Sequence, residues 1–364
     1  MVDKIVKWNP DTDRLETAEG YAAKWDPSLN RFKAVISGAG RVVMWDPAND
    51  YFKASYSSES ANLWKLSSGG VLQWRYYSNG HGQGVAVDDN GYTYQATTGG
   101  PIRVHKLQAV LPVKEWGYNS GYFGADVAAD VGANANVYLA GSRVDNFSVW
   151  KLDSDGVLQW SYDTGADANG VAVDASGNVY IAGENTGSAN VWKLNSDGVL
   201  QWTFDTRYAT YGIAVDGSGN VYVVSRRYAT AGGYGNVRKL NSSGVEQWVF
   251  NTGTDWALGV AVDASGNVYV AGADNGLATV WKLNSSGVEQ WKYDTGANRT
   301  QGVCVDGSGN VYVAGQETGS ASVWKLNSSG VLQWSYNTGD ETYAIAVDDD
   351  GYVYVTGSPE NYSV

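Results

Sequence analysis

One cysteine, two histidines, two methionines and six prolines are spread through 364 residues. A single thiol excludes an intrachain disulfide framework and a cysteine-rich metal site. With two histidines besides, a zinc centre is not expected. Basic residues are scarce: 25 Lys and Arg face 38 Asp and Glu, a formal charge of −13. Such a chain repels phosphate backbones and anionic headgroups, so neither nucleic acid nor membrane insertion is expected. No apolar run approaches the roughly 18 residues of a membrane span. The opening stretch "MVDKIVKWNPDTDRL" has no apolar h-region, so no secretory signal is visible. Helical periodicity is missing from the whole chain.

What is abundant is glycine (46), tyrosine (25) and tryptophan (16), the vocabulary of short strands joined by tight turns. The chain also repeats itself. "VWKLNSSGVLQWSYNTG" at 323–339 returns as "VWKLNSSGVEQWKYDTG" at 280–296 and "VWKLNSDGVLQWTFDTR" at 191–207. An aspartate closes each "VAVD"-like run, at Asp88, Asp130, Asp174, Asp216, Asp263, Asp306 and Asp348. A tryptophan marks each "QW"-like run, at Trp74, Trp116, Trp160, Trp202, Trp248, Trp291 and Trp334. Both markers count seven. Each repeat reads as four strands, a to d: in one copy, 170–174, 178–183, 190–194 and 199–204, separated by turn residues. Four short antiparallel strands per roughly 40–45 residues is the period of a propeller blade. The fold class is therefore all-β, a seven-bladed β-propeller.

The array begins with c and d (62–77) and ends with a and b (344–357). Completing the last blade requires the C-terminal strands to pair with the N-terminal ones, which closes the ring without an open sheet edge. Strand a carries Ala86, Ala128, Ala172, Ala214, Ala261, Cys304 and Ala346 at its middle. Small side chains there fit a crowded axis, and Cys304 reads as a buried occupant of an alanine slot. The strand-d tryptophans are expected to pack between blades.

"AVDASGNVYVAG" with "VWKLNSSGVLQW" resembles the bacterial β-propeller repeat family related to NHL and YVTN repeats, over residues 61–357. "KLNSSGVLQW" followed by "SYNTG" or its variants is similar to the tryptophan-docking motif of quinoprotein-type propellers. That resemblance implies eight blades and often a vicinal cysteine pair at a quinone pocket. Seven repeats and one cysteine depart from it, so no quinone, and no other cofactor or metal, is expected.

Residues 1–60 follow another rule: "KWNPDTDRLET" (7–17), "KWDPSLNRFKA" (24–34) and "MWDPANDYFKA" (44–54). Asn-Pro or Asp-Pro sets up a type I turn, so each unit reads as a β-hairpin. Three hairpins are too small for a secure core of their own. The segment reads as an attachment module for other proteins of a larger assembly, with packing on the propeller as the alternative. Residues 358–364 read as a C-terminal tail.

Several motifs imitate catalytic or ligand sites. "DTG" at 163–165 and 294–296 alternates with "NTG" at 251–253 and 337–339, as a recurrent turn does. "GSGN" at 217–220 and 307–310 has no following helix to hold an anion. "DDNG" (88–91) and "DDDG" (348–351) lack the ligand series of a calcium loop. The "NSS" triplets at 241, 284 and 327 read as turns. His105 sits in a slot held by Trp64, Trp150, Trp192, Trp281 and Trp324 in other repeats, a packing position; His81 lies before a strand a and is the better functional candidate.

The a–b and c–d turns are nearly uniform, whereas the d–a and b–c loops differ in every repeat. Variable loops on a rigid scaffold are where recognition sits. Tyr208, Tyr211, Arg226, Arg227, Tyr228, Tyr234 and Trp256 come from adjacent repeats on that face and form the candidate binding set, since aromatics with arginine anchor contacts to sugars or proteins. The functional reading is a non-enzymatic structural or interaction protein, a phage virion or tail component, located in the virion or in the cytoplasm before assembly. The alternative is a lectin-like propeller gripping a glycan or host-surface receptor; a glycosidase or lyase ranks last.

Overall fold

A computed structural model describes residues 63–76, 81–98, 103–107, 114–119, 124–130, 135–144, 147–184, 189–225, 236–253, 256–274, 277–316, 322–339 and 341–358, and, within 1–60, the backbone of six strands. The chain divides into two compact units, Met1–Ser60 and Ala61–Val364.

In the first unit, strands Lys7–Asn9 and Arg14–Glu16, Ala22–Asp26 and Arg31–Val35, and Arg41–Asp46 and Tyr51–Tyr56 pair as hairpins. The three hairpins join in chain order into one six-stranded antiparallel sheet.

In the second unit, every sheet has four strands, and seven such sheets form. Sheet 3 is typical: a is Ala168–Val173, b is Val179–Gly183, c is Val191–Leu194 and d is Leu200–Phe204. Sheets 1, 2, 4, 5 and 6 start their strand a at His81, Gly124, Thr210, Trp256 and Arg299. Sheet 7 is composite. Its a and b strands are Thr342–Val347 and Val353–Gly357, its c and d strands Leu63–Leu66 and Leu72–Tyr76, and Tyr354 pairs with Lys65 across the join. Each strand a packs against the next, and Thr342–Val347 packs against His81–Val87, so the series returns to its start. This is a β-propeller of four-stranded blades.

No single core exists; apolar clusters lie between successive sheets. Between sheets 1 and 2, the first contributes Ala86, Tyr94, Ala96 and Trp116, and the second Val127, Val137, Leu139, Trp150 and Leu152. The seam between sheets 7 and 1 repeats the arrangement with Tyr354, Leu63, Val85 and Leu107. The mid-strand alanine of strand a is thus kept to one face. Alternate side chains point to opposite faces of a strand, so the alanine meets the following sheet while Val85, Val127 or Val171 meets the preceding one. Crowding at the axis is solved by setting a small face against a large one. Cys304 occupies the alanine slot against the cluster of sheets 6 and 7.

One hydrogen-bonded unit recurs in all seven sheets. The aspartate after strand a caps its turn and accepts the hydroxyl of a buried strand-b tyrosine: Asp174 to Tyr180 at 2.9 Å, Asp216 to Tyr222 at 3.0 Å, and likewise Tyr94, Tyr138, Tyr269, Tyr312 and Tyr354. That tyrosine ring packs on the strand-d tryptophan of its own sheet, as Tyr180 does on Trp202 with centroids 6.3 Å apart. The tryptophan then reaches the next sheet: Trp202 Nε1 donates to the Ser242 carbonyl (3.1 Å) in the c–d turn of sheet 4. A Cβ on Gly244 would lie 2.9 Å from the indole, and Gly244 has φ +80°, so this turn requires glycine twice over. Lys193 Nζ sits over the Tyr180 ring, 5.1 Å from its centroid, and donates to the same Ser242 carbonyl. Trp116, Trp160, Trp248, Trp291 and Trp334 dock on Gly156, Gly198, Gly287, Gly330 and Gly70 in the same way. The expected inter-blade tryptophans are therefore docked on a specific glycine turn of the following blade.

Candidate functional site: the axial mouth

The imitated motifs resolve as turns among the described residues. Asp163 and Asn251 cap Gly165 and Gly253. Asn241 Oδ1 accepts the Ser243 and Val245 amides, so "NSS" is a capped turn. Asp88 accepts the Asn90 and Tyr92 amides and the Tyr94 hydroxyl, and Asp348 the Tyr352 amide and Tyr354 hydroxyl. Both carboxylates are thus engaged by their own turns, and among the described residues no group of three or more His, Cys, Asp and Glu gathers as a metal site. Burial, then the charge of Asp306, push the Cys304 thiol well above the usual range, which keeps it protonated and a poor nucleophile. His81 Nδ1 lies 3.0 Å from Ser358 Oγ, which is also 2.6 Å from Tyr343 Oη. This cluster links sheets 1 and 7 at the seam. The side chain of His105 lies outside the described residues.

Of the candidate binding set, Arg226, Arg227, Tyr228 and Tyr234 also lie outside the described residues. Tyr208 is half-buried and its carbonyl accepts Thr206 Oγ1 at 2.7 Å. Tyr211 lies in strand a of sheet 4 and lines the axis. Trp256 opens strand a of sheet 5 and lies under the guanidinium of Arg299, 5.2 Å away, which opens strand a of sheet 6. The pairing of Trp256 is thus with the next sheet onward, because successive a strands are neighbours around the axis.

Just below this mouth the a strands enclose a cavity of about 350 Å³. Its polar lining comes from one short segment of six of the seven a strands: Gln83, Asp126, Asn169, Tyr211, Gln301 and Tyr343, while sheet 5 contributes Leu258. None of these except Tyr211 belongs to the sequence-derived set. Aligned on the mid-strand alanine or its Cys304 substitute, Gln83, Asn169, Tyr211, Gln301 and Tyr343 share one position, three residues before it. Asp126 falls one position later, where Gly84, Gly170, Gly212, Gly259 and Gly302 stand in other sheets. A Cβ on Gly170 would lie 2.4 Å from the Tyr211 carbonyl and one on Gly259 2.2 Å from that of Gln301, so glycine is required by the close approach of the next strand. At Asp126 the pattern breaks. Its carboxylate spans the gap, accepting its neighbour Val127 N (2.9 Å) and Val171 N of sheet 3 (3.0 Å). Burial raises its pKa to about 6, against the opposing pull of those two amides.

Most of the remaining polar groups of the lining are engaged. Gln301 Nε2 is buried and has no acceptor. Asn169 Nδ2 donates to the Thr210 carbonyl at 2.9 Å, which directs its amide across to sheet 4. Tyr343 Oη donates to Glu341, 3.0 Å away. Among the described residues no lysine, arginine or histidine lines the cavity.

No protein-family model matches this chain, and no curated protein matches it. Among solved structures it is similar to the crystal structure of BamB from Moraxella catarrhalis, with a TM-score of 0.50, 16% identity, and coverage of 88% of this chain and 95% of that one. At that identity the likeness speaks to the fold: an all-β propeller.

Proposed function

We propose that the chain is a non-enzymatic interaction protein: its seven sheets act as the blades of one closed scaffold that presents the d–a and b–c rim, with the axial mouth at its centre, to a glycan-bearing partner. The observation that carries this reading is the concentration at one end of the a strands of polar and aromatic side chains that differ from sheet to sheet, while the opposite turns repeat one hydrogen-bonded plan. Variable side chains on an otherwise repetitive frame are the expected form of a recognition surface. The protonated, buried thiol of Cys304 and the turn-bound carboxylates support a binding role over catalysis. We extend the proposal to a virion or tail component attached through residues 1–60; sedimentation of the full chain and of residues 61–364 tests that part, which equal behaviour of the two would reject.

For the rim, the test is a glycan array probed with the full chain and two variants. Trp256→Ala is expected to weaken glycan capture, whereas Val199→Arg, on the opposite turn rim where Val199 is 57% exposed, leaves it intact. The reverse pattern would place recognition on the wrong face, and turnover of a glycoside panel by the purified chain would overturn the non-enzymatic reading.

A further inference from the structure

The axial cavity has three features that the propeller frame does not require. The first is the break in the glycine column. Five of the sheets place glycine where the neighbouring strand comes close, and Ala344 is the small exception in sheet 7. Sheet 2 places a carboxylate there and must desolvate it. Departures from a local rule concentrate at functional positions. The second is the orphan donor, Gln301 Nε2, which is buried beside the cavity and reaches its space by a turn of the side chain. A buried amide N–H without an acceptor costs about 1–3 kcal/mol and calls for a partner. The third is the chemistry of the lining. Amides of Gln83, Asn169 and Gln301, the phenols of Tyr211 and Tyr343, and the Asp126 carboxylate supply both donors and acceptors, while Leu258 supplies an apolar patch.

Size and charge narrow the ligand. A volume of about 350 Å³ lies at the small end of the roughly 300–1,000 Å³ range of ligand pockets, room for one ring and not for an extended chain. Among the described residues the lining holds the Asp126 carboxylate and no cationic side chain, which disfavours an anion. A ring bearing several hydroxyls matches the alternating donors and acceptors, and its apolar C–H face matches Leu258 and the tyrosine rings. We propose that the axial cavity is a binding site for a single uncharged, hydroxyl-rich ring of sugar size, with Gln301 and Asn169 as its specificity-determining amides. This inference rests on the glycan reading of the rim and deepens it: the mouth engages the glycan and the cavity takes its terminal residue.

The test uses saturation-transfer NMR of the full chain with free glucose, galactose, mannose and N-acetylglucosamine, and with gluconate and tetramethylammonium as charged comparators. At least one neutral sugar is expected to bind in the millimolar range, with Gln301→Ala and Asn169→Ala each weakening it by about fivefold or more, the loss of one buried hydrogen bond. Leu258→Trp, which fills the cavity and leaves both amides in the sequence, is expected to abolish it. Melting temperature is read alongside, so that an unfolded variant is replaced by the other two. Binding that is unchanged in all folded variants overturns the cavity site, and preferential binding of tetramethylammonium or gluconate overturns the ligand class. If free sugars fail while Trp256→Ala still removes array binding, the cavity falls and the rim reading stands. If array binding is indifferent to Trp256→Ala but sugar binding depends on Gln301, the rim reading falls alone.

Discussion

On the rim of a–b and c–d turns, Asp174 accepts four hydrogen bonds: from the Ser176 and Asn178 amides, the Asn178 side chain and the Tyr180 hydroxyl, at 2.8–3.0 Å. At the mouth of the a strands, Asp126 accepts two, both from backbone amides, and Gln301 Nε2 has none. The same residue type meets opposite fates. Burial by itself would raise the pKa of Asp174, yet the bonds from Asn178, Tyr180 and Ser176 outweigh it and hold the carboxyl below its ordinary value; Asp216, Asp263 and Asp306 follow suit. For Asp126 burial wins. One rim is built to keep its charges and fasten the blades; the other desolvates a carboxyl and buries one amide nitrogen without an acceptor.

The harshest way to break this comparison is to open the ring on which both rims depend. Deletion of residues 343–364 removes the strand that pairs with Leu63–Leu66 and leaves that hairpin as an unpaired edge. Loss of cooperative unfolding and aggregation are expected; a monomer with unchanged Tm would show that the seam does not hold the unit closed. Next in size is the docking contact. Trp202→Ala removes the ring that covers Gly244 and the bond to Ser242, and should destabilise by about 3 kcal/mol, as truncation of a packed tryptophan does, measured by urea denaturation. Free-sugar binding at the mouth should survive it below the unfolding transition.

A smaller effect comes with opposite signs at the two ends. Carboxyls whose folded pKa lies below the unfolded value stabilise above that value, roughly pH 3.9. The contribution of Asp174, Asp216, Asp263 and Asp306 is therefore present at neutral pH and lost as pH falls through their depressed folded values. Asp126, raised to about 6, works the other way: its contribution is full below the unfolded pKa and is lost as pH rises through about 6. Tm should thus fall steeply in acid, and a shallower decline from about pH 4 to about pH 6 should vanish in Asp126→Asn. A decline that persists in that variant would place the titrating group elsewhere. The smallest change concerns Arg207, at φ 70° in the slot where Gly165, Gly253, Gly296 and Gly339 have φ between 75° and 89°. A left-handed non-glycine residue costs roughly 1 kcal/mol, so Arg207→Gly should stabilise by about that amount. A lower Tm would mean that the Arg207 side chain repays its backbone strain.

The sequence foresaw part of the candidate site. Tyr211 and Trp256 were legible because they are bulky aromatics in stretches that vary between repeats. Gln83, Asp126, Asn169, Gln301 and Tyr343 were not, although they stand in strand a as Tyr211 does, because nothing within one repeat marks an amide, a carboxylate or a lone tyrosine as facing the axis. A signal did exist: aligning the a strands on their alanine exposes a column of amides and tyrosines, and Asp126 as the break in a glycine column. Reading that column as a cavity lining requires knowing that strand a is innermost on every sheet and that its first half faces the open end.

Strand content, the four-strand unit, the capped turns and the pairing of the chain's last strands with its first were determined by the sequence itself, since each depends on residues within one repeat or on the order of repeats along the chain. The aspartate and glycine of each turn act over four or five residues, and such local rules survive in any copy. Tertiary structure alone decided what depends on neighbours some 40 residues away. It seated Trp202 on Gly244 of the next sheet, set the mid-strand alanine of strand a against the following sheet, and turned Asp126 toward the amide of Val171. It also converged side chains from separate repeats on the axis. The physical reason is that packing between blades is set by distances across the ring, which no periodicity along a single repeat encodes.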